Sequence, residues 1–194
     1  RRRIELKPGP KYAKILDVQE SAELMRKINE YANVPLSALV LNFVDILAHS
    51  RSSSNLIKEM IPNEAAFRST TRSWFEHSHL FNALRKLAAN GNTIVVTSDH
   101  GSIRGLHGTK VVGDRETSTS LRYKYGKNIK VDPKDAMIID NPKEYKLPAR
   151  GVNTNYIFAK EDYYFVYPTN YHYFLDYYAD SFQHGGIALE EMIL

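Results

Sequence analysis

The sequence predicts an α/β fold, a mixed and mainly parallel sheet flanked by helices. Two apolar runs carry this expectation, Ser37 to Asp45 and Thr93 to Thr97, with a long helical pattern between them. Strand, helix and strand in that order argue for a crossover connection and parallel pairing. After Gly101 the texture changes to glycines, charges and shorter strand candidates, so residues 102–154 read as an inserted loop and sheet region.

Residues 1–13 mix Arg, Lys, Pro and Gly and read as a linker-like entry. Apolar positions Leu24, Met25 and Ile28 behind Glu20–Ser21 predict a helix over about 19–31. Ser37 to Asp45 is a nearly continuous apolar run ending in an acid, as expected of a strand buried on both faces. Residues 63–90 open on Asn63 and Glu64 and carry Phe67, Trp74, Leu80, Leu84 and Leu87 on recurring faces. They stop at Asn90-Gly91, which predicts one or two helices. Thr93 to Thr97 is the expected second buried strand. Further strands are expected at 109–112, 135–139, 155–159 and 163–167, and a helix at Tyr171 to Tyr178. The segment from Ser181 to Leu194 is expected to return to the core. There is no internal repeat and no low-complexity tract.

Composition narrows the chemistry. The 194 residues suit one domain or a large part of one. A formal charge of +4 mildly favours an anionic partner. The chain has no cysteine, which excludes disulfides and thiolate metal sites and fits a reducing compartment, so a cytoplasmic setting is expected. The longest apolar stretch, Ala38 to Val44, is interrupted by Asn42 and is too short to span a bilayer. Arg1-Arg2-Arg3 is followed by no hydrophobic signal core. The chain does not open on Met and is expected to be a piece of something longer.

Three short signatures lie along the chain in a fixed order: Asp45-Ile-Leu-Ala-His49, then Thr97-Ser98-Asp99-His100-Gly101, then His184-Gly185-Gly186. Two carboxylates and three imidazoles at such spacings can hold two divalent cations about 3.5–4 Å apart, a device of phosphoryl chemistry. If a helical turn begins at Asp45, its side chain and that of His49 stack on one face and can share an ion. Both Asp-containing motifs follow a strand, and open parallel sheets place ligand sites beyond the carboxyl ends of their strands. The glycines after His184 let backbone pass close to an ion or a phosphate. Each motif alone has a plainer reading: Asp45 as a helix N-cap, His49 as a satisfied interior histidine, and the other two as turns.

Taken together, the motifs resemble the alkaline phosphatase superfamily. The closer likeness is to the PglZ-type domain, nearest the C-terminal effector domain of PorX-like response regulators. Supporting phrases are Asn42-Phe43-Val44-Asp45, Ser73-Trp74-Phe75, Val111-Val112-Gly113-Asp114-Arg115, Thr117 to Tyr123, and Gln183-His184-Gly185-Gly186 running into Leu189-Glu190-Glu191-Met192-Ile193. The likeness runs from about Lys11 onward. It implies an alkaline phosphatase-like sheet and two Zn2+, with other divalent ions possible. Asp45, His49 and His184 would hold one ion, and Asp99 and His100 the other. It also implies a Ser or Thr nucleophile, for which no match is found before Asp45. This chain is therefore expected to be the C-terminal part of the catalytic domain, with the nucleophile upstream.

The activity so implied is metal-dependent hydrolysis of phosphate esters. A phosphodiesterase acting on nucleotide or oligonucleotide substrates is the leading expectation, as effector of a two-component response regulator linked to type IX secretion. An upstream receiver domain and a homodimer are the expected partners, with no membrane partner. Lys110, Arg115, Arg122 and Lys124 flank the Gly-rich insertion and are the candidates for gripping phosphates. His107 is near enough in sequence to reach the site but is expected on the surface. His77, His79 and His172 lack ligand-like spacing. The tyrosine-rich stretch from Tyr163 through Tyr178 is consistent with base stacking and also with core packing. Two rival functions stay open: a signalling or protein-binding module that keeps a structural metal, and phosphoglycerate mutase-like phosphotransfer or sulfate ester hydrolysis.

Overall fold

A computed structural model describes residues 5–114, 120–148, 151 and 153–192. The chain divides into two compact units. The first comprises residues up to 50 together with 54–96, and the second comprises 51–53 and residues from 97 onward.

The first unit opens with β1 (Lys11–Ile15), α1 (Val18–Ala32) and β2 (Ser37–Leu41). The two strands pair in parallel, from Lys11 opposite Ser37 to Ile15 opposite Leu41. The helix begins where Asp17 accepts the Glu20 N–H at 2.8 Å, while Glu20 reaches back to the Leu16 N–H at 2.6 Å. Those two reciprocal bonds satisfy donors that a helix start otherwise leaves open. The buried face of α1, Leu24 and Ile28, packs with Ile15, Ala83 and Leu87, and Leu39, Leu41 and Ile94 line the edge of this cluster. Ala83 is fully buried there, where α1 packs against the later helix that carries Ala83 and Leu87.

Beyond β2 the chain turns almost at once into α2 (Phe43–Ser53), followed by α3 (Asn55–Met60), α4 (Glu64–His77) and α5 (His79–Ala89). Ser54, Asn63 and Ser78 each cap the helix that follows with a side-chain oxygen. Phe43 and Trp74 stack with ring centroids 4.0 Å apart, which ties the start of α2 to α4. The expected helical region 63–90 is thus two helices broken at Ser78, ending at Asn90 and Gly91.

Three expectations are corrected. The entry read as linker-like contains β1 from Lys11. The strand expected over Ser37–Asp45 ends at Leu41, none of its residues is fully buried, and Asp45 lies in the first turn of a helix. Residues 93–97 form no ladder, and Val95 and Val96 are 81% and 78% exposed. An apolar run is necessary for a buried strand, but a strand also needs a neighbouring edge. β1 and β2 pair only with each other among the described residues.

In the second unit β3 (Ile103–Gly105) pairs antiparallel with β9 (Ser181–Gln183), and β4 (His107–Lys110) pairs in parallel with β8 (Tyr163–Val166). A three-stranded antiparallel sheet has the order β5 (Tyr123–Lys127), β7 (Thr154–Ala159), β6 (Ala136–Ile139). Val111, Ile129, Ala136, Ile157, Ala159 and Phe165 form its core. The expected strands 109–112, 135–139, 155–159 and 163–167 correspond to β4, β6, β7 and β8. The expected helix at Tyr171–Tyr178 is α6, and a short α7 (Leu189–Met192) follows β9. The fold is a mixed α/β arrangement whose pairing is divided between parallel and antiparallel ladders. Among the described residues no helix is long and apolar enough to cross a membrane.

Candidate metal centre

Asp45 and His49 stand four residues apart on α2, so one helical turn stacks them on a common face. His49 Nε2 lies 3.3 Å from Asp45 Oδ1, and both side chains are about half exposed. Asp45 falls in the first turn of the helix, where the macrodipole favours a negative charge. The last turn of the same helix is fixed by Arg51, whose buried guanidinium donates to Asp180 Oδ2 at 2.6 Å. Arg104 Nε donates to the other oxygen of Asp180 at 2.6 Å. Burial opposes the charge on Asp180, yet the two guanidinium hydrogen bonds hold its carboxyl below the usual range.

The Asp99-His100-Gly101 segment is a loop in which Asp99 is highly exposed and His100 partly buried. His100 Nδ1 lies 2.9 Å from the Gly101 carbonyl. A carbonyl only accepts, so Nδ1 donates to it, and in the neutral ring the lone pair then falls on Nε2, 3.7 Å from Asp99 Oδ1. That tautomer is the one a metal-ligating Nε2 needs. The His100 ring stacks on His184 with centroids 3.7 Å apart and planes within 11°.

His184 directly follows β9. The two glycines that follow it stand close against other protein groups. Gly185 has φ +101°, and a β-carbon there would stand 2.7 Å from the ring of Tyr123. A β-carbon on Gly186 would stand 2.5 Å from Arg122 Nη2 and 2.7 Å from the Ala159 carbonyl oxygen. The backbone at Gly186 therefore lies against a guanidinium.

In the first unit Asp45 and His49 offer a carboxylate and an imidazole from one helical face, and in the second His100 and His184 offer two stacked imidazoles. Imidazole nitrogens and carboxylate oxygens are donors that zinc accepts. Asp99 and His100 come together as a pair and are joined to His184 through the stacked rings.

The expected phosphate-gripping residues divide. Arg122 is fully buried; its Nε and Nη2 donate to Glu191 at 2.8 and 2.5 Å, and Nη2 donates to the Glu161 carbonyl at 2.7 Å. Its guanidinium is saturated by protein acceptors, so the expectation that it grips substrate is corrected. Lys124 is corrected for a similar reason. It is buried, donates to the Ser120 carbonyl at 2.9 Å and lies 4.4 Å from the centre of the Tyr167 ring. Burial pulls its ammonium down to about 8. Lys110 remains on the surface, its ammonium 5.1 Å from the centre of the Tyr171 ring. Arg115 lies outside the described residues.

His107 is on the surface as expected, with Nδ1 2.7 Å from Asp162. His77 Nδ1 bonds the Ser73 carbonyl within α4. The tyrosine-rich stretch splits: Tyr164 is buried and donates to the Leu175 carbonyl at 2.6 Å, whereas Tyr173 is 62% exposed. Desolvation pushes the Tyr164 hydroxyl up to about 12.

Two acidic partners carry no local signal of their role in the sequence, the buried Glu191 and the part-exposed Asp180. Glu191 stands five residues beyond Gly186 in a phrase that resembles the family, and that was the available signal. Nothing local marks Asp180 as a partner of Arg51. No curated protein sequence matches the chain. Residues 11–194 match the model of the BREX system PglZ alkaline phosphatase-like domain. The chain, with its α/β fold, belongs to the PglZ family of alkaline phosphatase-like domains.

Proposed function

We propose that the chain serves a zinc-dependent phosphodiesterase that acts on nucleotide-containing esters, as effector domain of a PorX-like response regulator. The observation that carries this reading is the Asp45–His49 pair on one helical face, together with the stacked His100 and His184 of the second unit, in a chain whose family points to phosphoester hydrolysis. Zinc, when bound, supplies a Lewis acid for phosphoryl oxygens and lowers the pKa of bound water. In this reading Asp45, His49 and His184 hold one ion, and Asp99 and His100 serve the second. The Nδ1–H of His100, donated to Gly101, keeps its Nε2 available as a ligand. Lys110 and Arg115 are the cations proposed to meet substrate phosphate; Lys110 is kept on the surface beside Tyr171. The response-regulator setting is supported by the family-like phrases around Asp45 and His184, and the family description itself names the BREX system. Aromatic residues on α6 and the net charge of +4 are consistent with a nucleotide substrate.

The test is hydrolysis of bis(p-nitrophenyl) phosphate by the full-length protein. Turnover should be abolished by a chelator and restored by Zn2+. Asp99→Ala should lower it by about 100-fold or more, the scale on which loss of one positioned charge-stabilising group acts. Turnover indifferent to chelator, or unchanged in Asp99→Ala, rejects the reading.

A further inference from the structure

The loops that carry His100 and His184 meet at one residue. The Glu191 carboxylate accepts the Gly186 N–H at 3.0 Å on Oε1 and the Ala188 N–H at 3.1 Å on Oε2. Its backbone carbonyl accepts the Gly101 N–H at 3.0 Å. One residue of α7 thus anchors the turn after His184 and the turn after His100. The carboxylate is oriented in turn by Arg122 through Nε at 2.8 Å and Nη2 at 2.5 Å. The remaining guanidinium donors go to carbonyls of the β7–β8 turn, Lys160, Glu161 and Tyr163. Both charged side chains are buried, at 0% and 1% exposure, so neither is available to solvent.

We propose that the Arg122–Glu191 pair is a positioning device that sets the His184 and His100 loops relative to each other. Stability alone does not account for so specific an arrangement. A buried ion pair is often no more stabilising than a hydrophobic replacement, because desolvation offsets the attraction. Here all four donors to the carboxylate are accounted for by two guanidinium nitrogens and two loop amides. Gly186 has no room for a side chain because its backbone lies on the guanidinium that orients Glu191. The outcome of the arrangement is the face-to-face contact of the two imidazoles at 3.7 Å. In the metalloenzyme reading, on which the zinc consequence of this inference rests, Arg122 and Glu191 act through the ligands and touch neither substrate nor ion.

The experiment compares the wild-type chain with Glu191→Asp and with Val111→Ala, a cavity variant in the core of the same unit. Aspartate keeps the negative charge for Arg122 but withdraws the oxygens by about one C–C bond length, 1.5 Å. Two readouts are taken: histidine ring resonances of the 15N-histidine-labelled chain in EDTA, and zinc(II) affinity after the chelator is removed. Glu191→Asp should displace the His100 and His184 resonances and weaken zinc about 10–100-fold, the effect of losing an outer-shell support. Val111→Ala should lower the melting temperature while leaving both readouts within about twofold of wild type. If Glu191→Asp fails to fold, Arg122→Lys replaces it, keeping the cation but losing the guanidinium fork, with a smaller shift in the same direction. Resonances and zinc affinity at control values in a folded Glu191→Asp or Arg122→Lys chain overturn the proposal. Displaced resonances in a chain whose wild type takes up no zinc uphold the positioning role and reject the metal reading instead.

Discussion

Gly186→Ala probes the contact that shapes the His184 turn. The new methyl would stand 2.5 Å from Arg122 Nη2, 2.8 Å from its Cζ and 2.7 Å from the Ala159 carbonyl oxygen. The guanidinium is pinned by Glu191 and the carbonyl belongs to β7, so no flexible side-chain end is present to give way. Overpacking of this kind costs about 1–3 kcal/mol. Displacing the Gly186 N–H from Glu191 adds about 1 kcal/mol. The reduced entropy of an unfolded alanine returns about 0.4–1 kcal/mol. The net expectation is a loss of about 2–3 kcal/mol, or a fall in melting temperature on the order of 5–10 °C for a chain of this size. Urea unfolding followed by far-UV circular dichroism in EDTA measures it, with Gly9→Ala as control. A β-carbon at Gly9 meets nothing within 4 Å, so that variant should stay within about 0.5 kcal/mol of wild type. A Gly186→Ala midpoint within the same margin would refute the close approach of this turn to Arg122.

Lys124 makes stability depend on pH in a known direction. Burial holds its folded-state ammonium at about 8, below the unfolded value of 10.5, so between these limits the unfolded chain binds a proton that the folded chain has lost. Stability should therefore rise as pH increases from 8, by roughly 1–2 kcal/mol up to pH 9.5, before tyrosine ionisation intervenes. Lys124→Met should flatten that rise, and a wild-type slope retained in this variant would assign the titration elsewhere. Asn63→Ala removes the side-chain acceptor of the Ala66 N–H at the start of α4 and should cost about 1 kcal/mol by denaturant unfolding. An unchanged midpoint would show that the cap does not support the helix.

Elements whose signals are local were legible in the sequence. The helices α4 and α5 announced themselves through apolar periodicity, Asn63 as a cap and a stop at Asn90-Gly91. The Asp45–His49 spacing translated directly into a shared helical face because both lie within one turn. β1 escaped notice because Lys11 occupies an inward-leaning position of a five-residue strand and masks its alternation. The run 93–97 has a strand's composition without a strand's pairing, because an Ile-Val-Val sequence describes what a strand needs, not whether a partner edge adjoins it. Arg122 and Lys124 resemble phosphate ligands in the sequence because a cation near glycines has the same appearance whether solvated or buried. Their true partners lie far away in sequence, and Glu191 is 69 residues from Arg122. Tertiary pairing of that kind leaves little trace in local pattern.

The most direct measurement is zinc per chain in metal-stripped and reloaded protein, by elemental analysis and titration. The account expects at least one ion held with high affinity, lost in His184→Ala and in Asp45→Ala, since these two and His49 are the proposed ligands of one ion. Zinc uptake that is absent from the wild type, or unchanged when both ligands are removed, would contradict it.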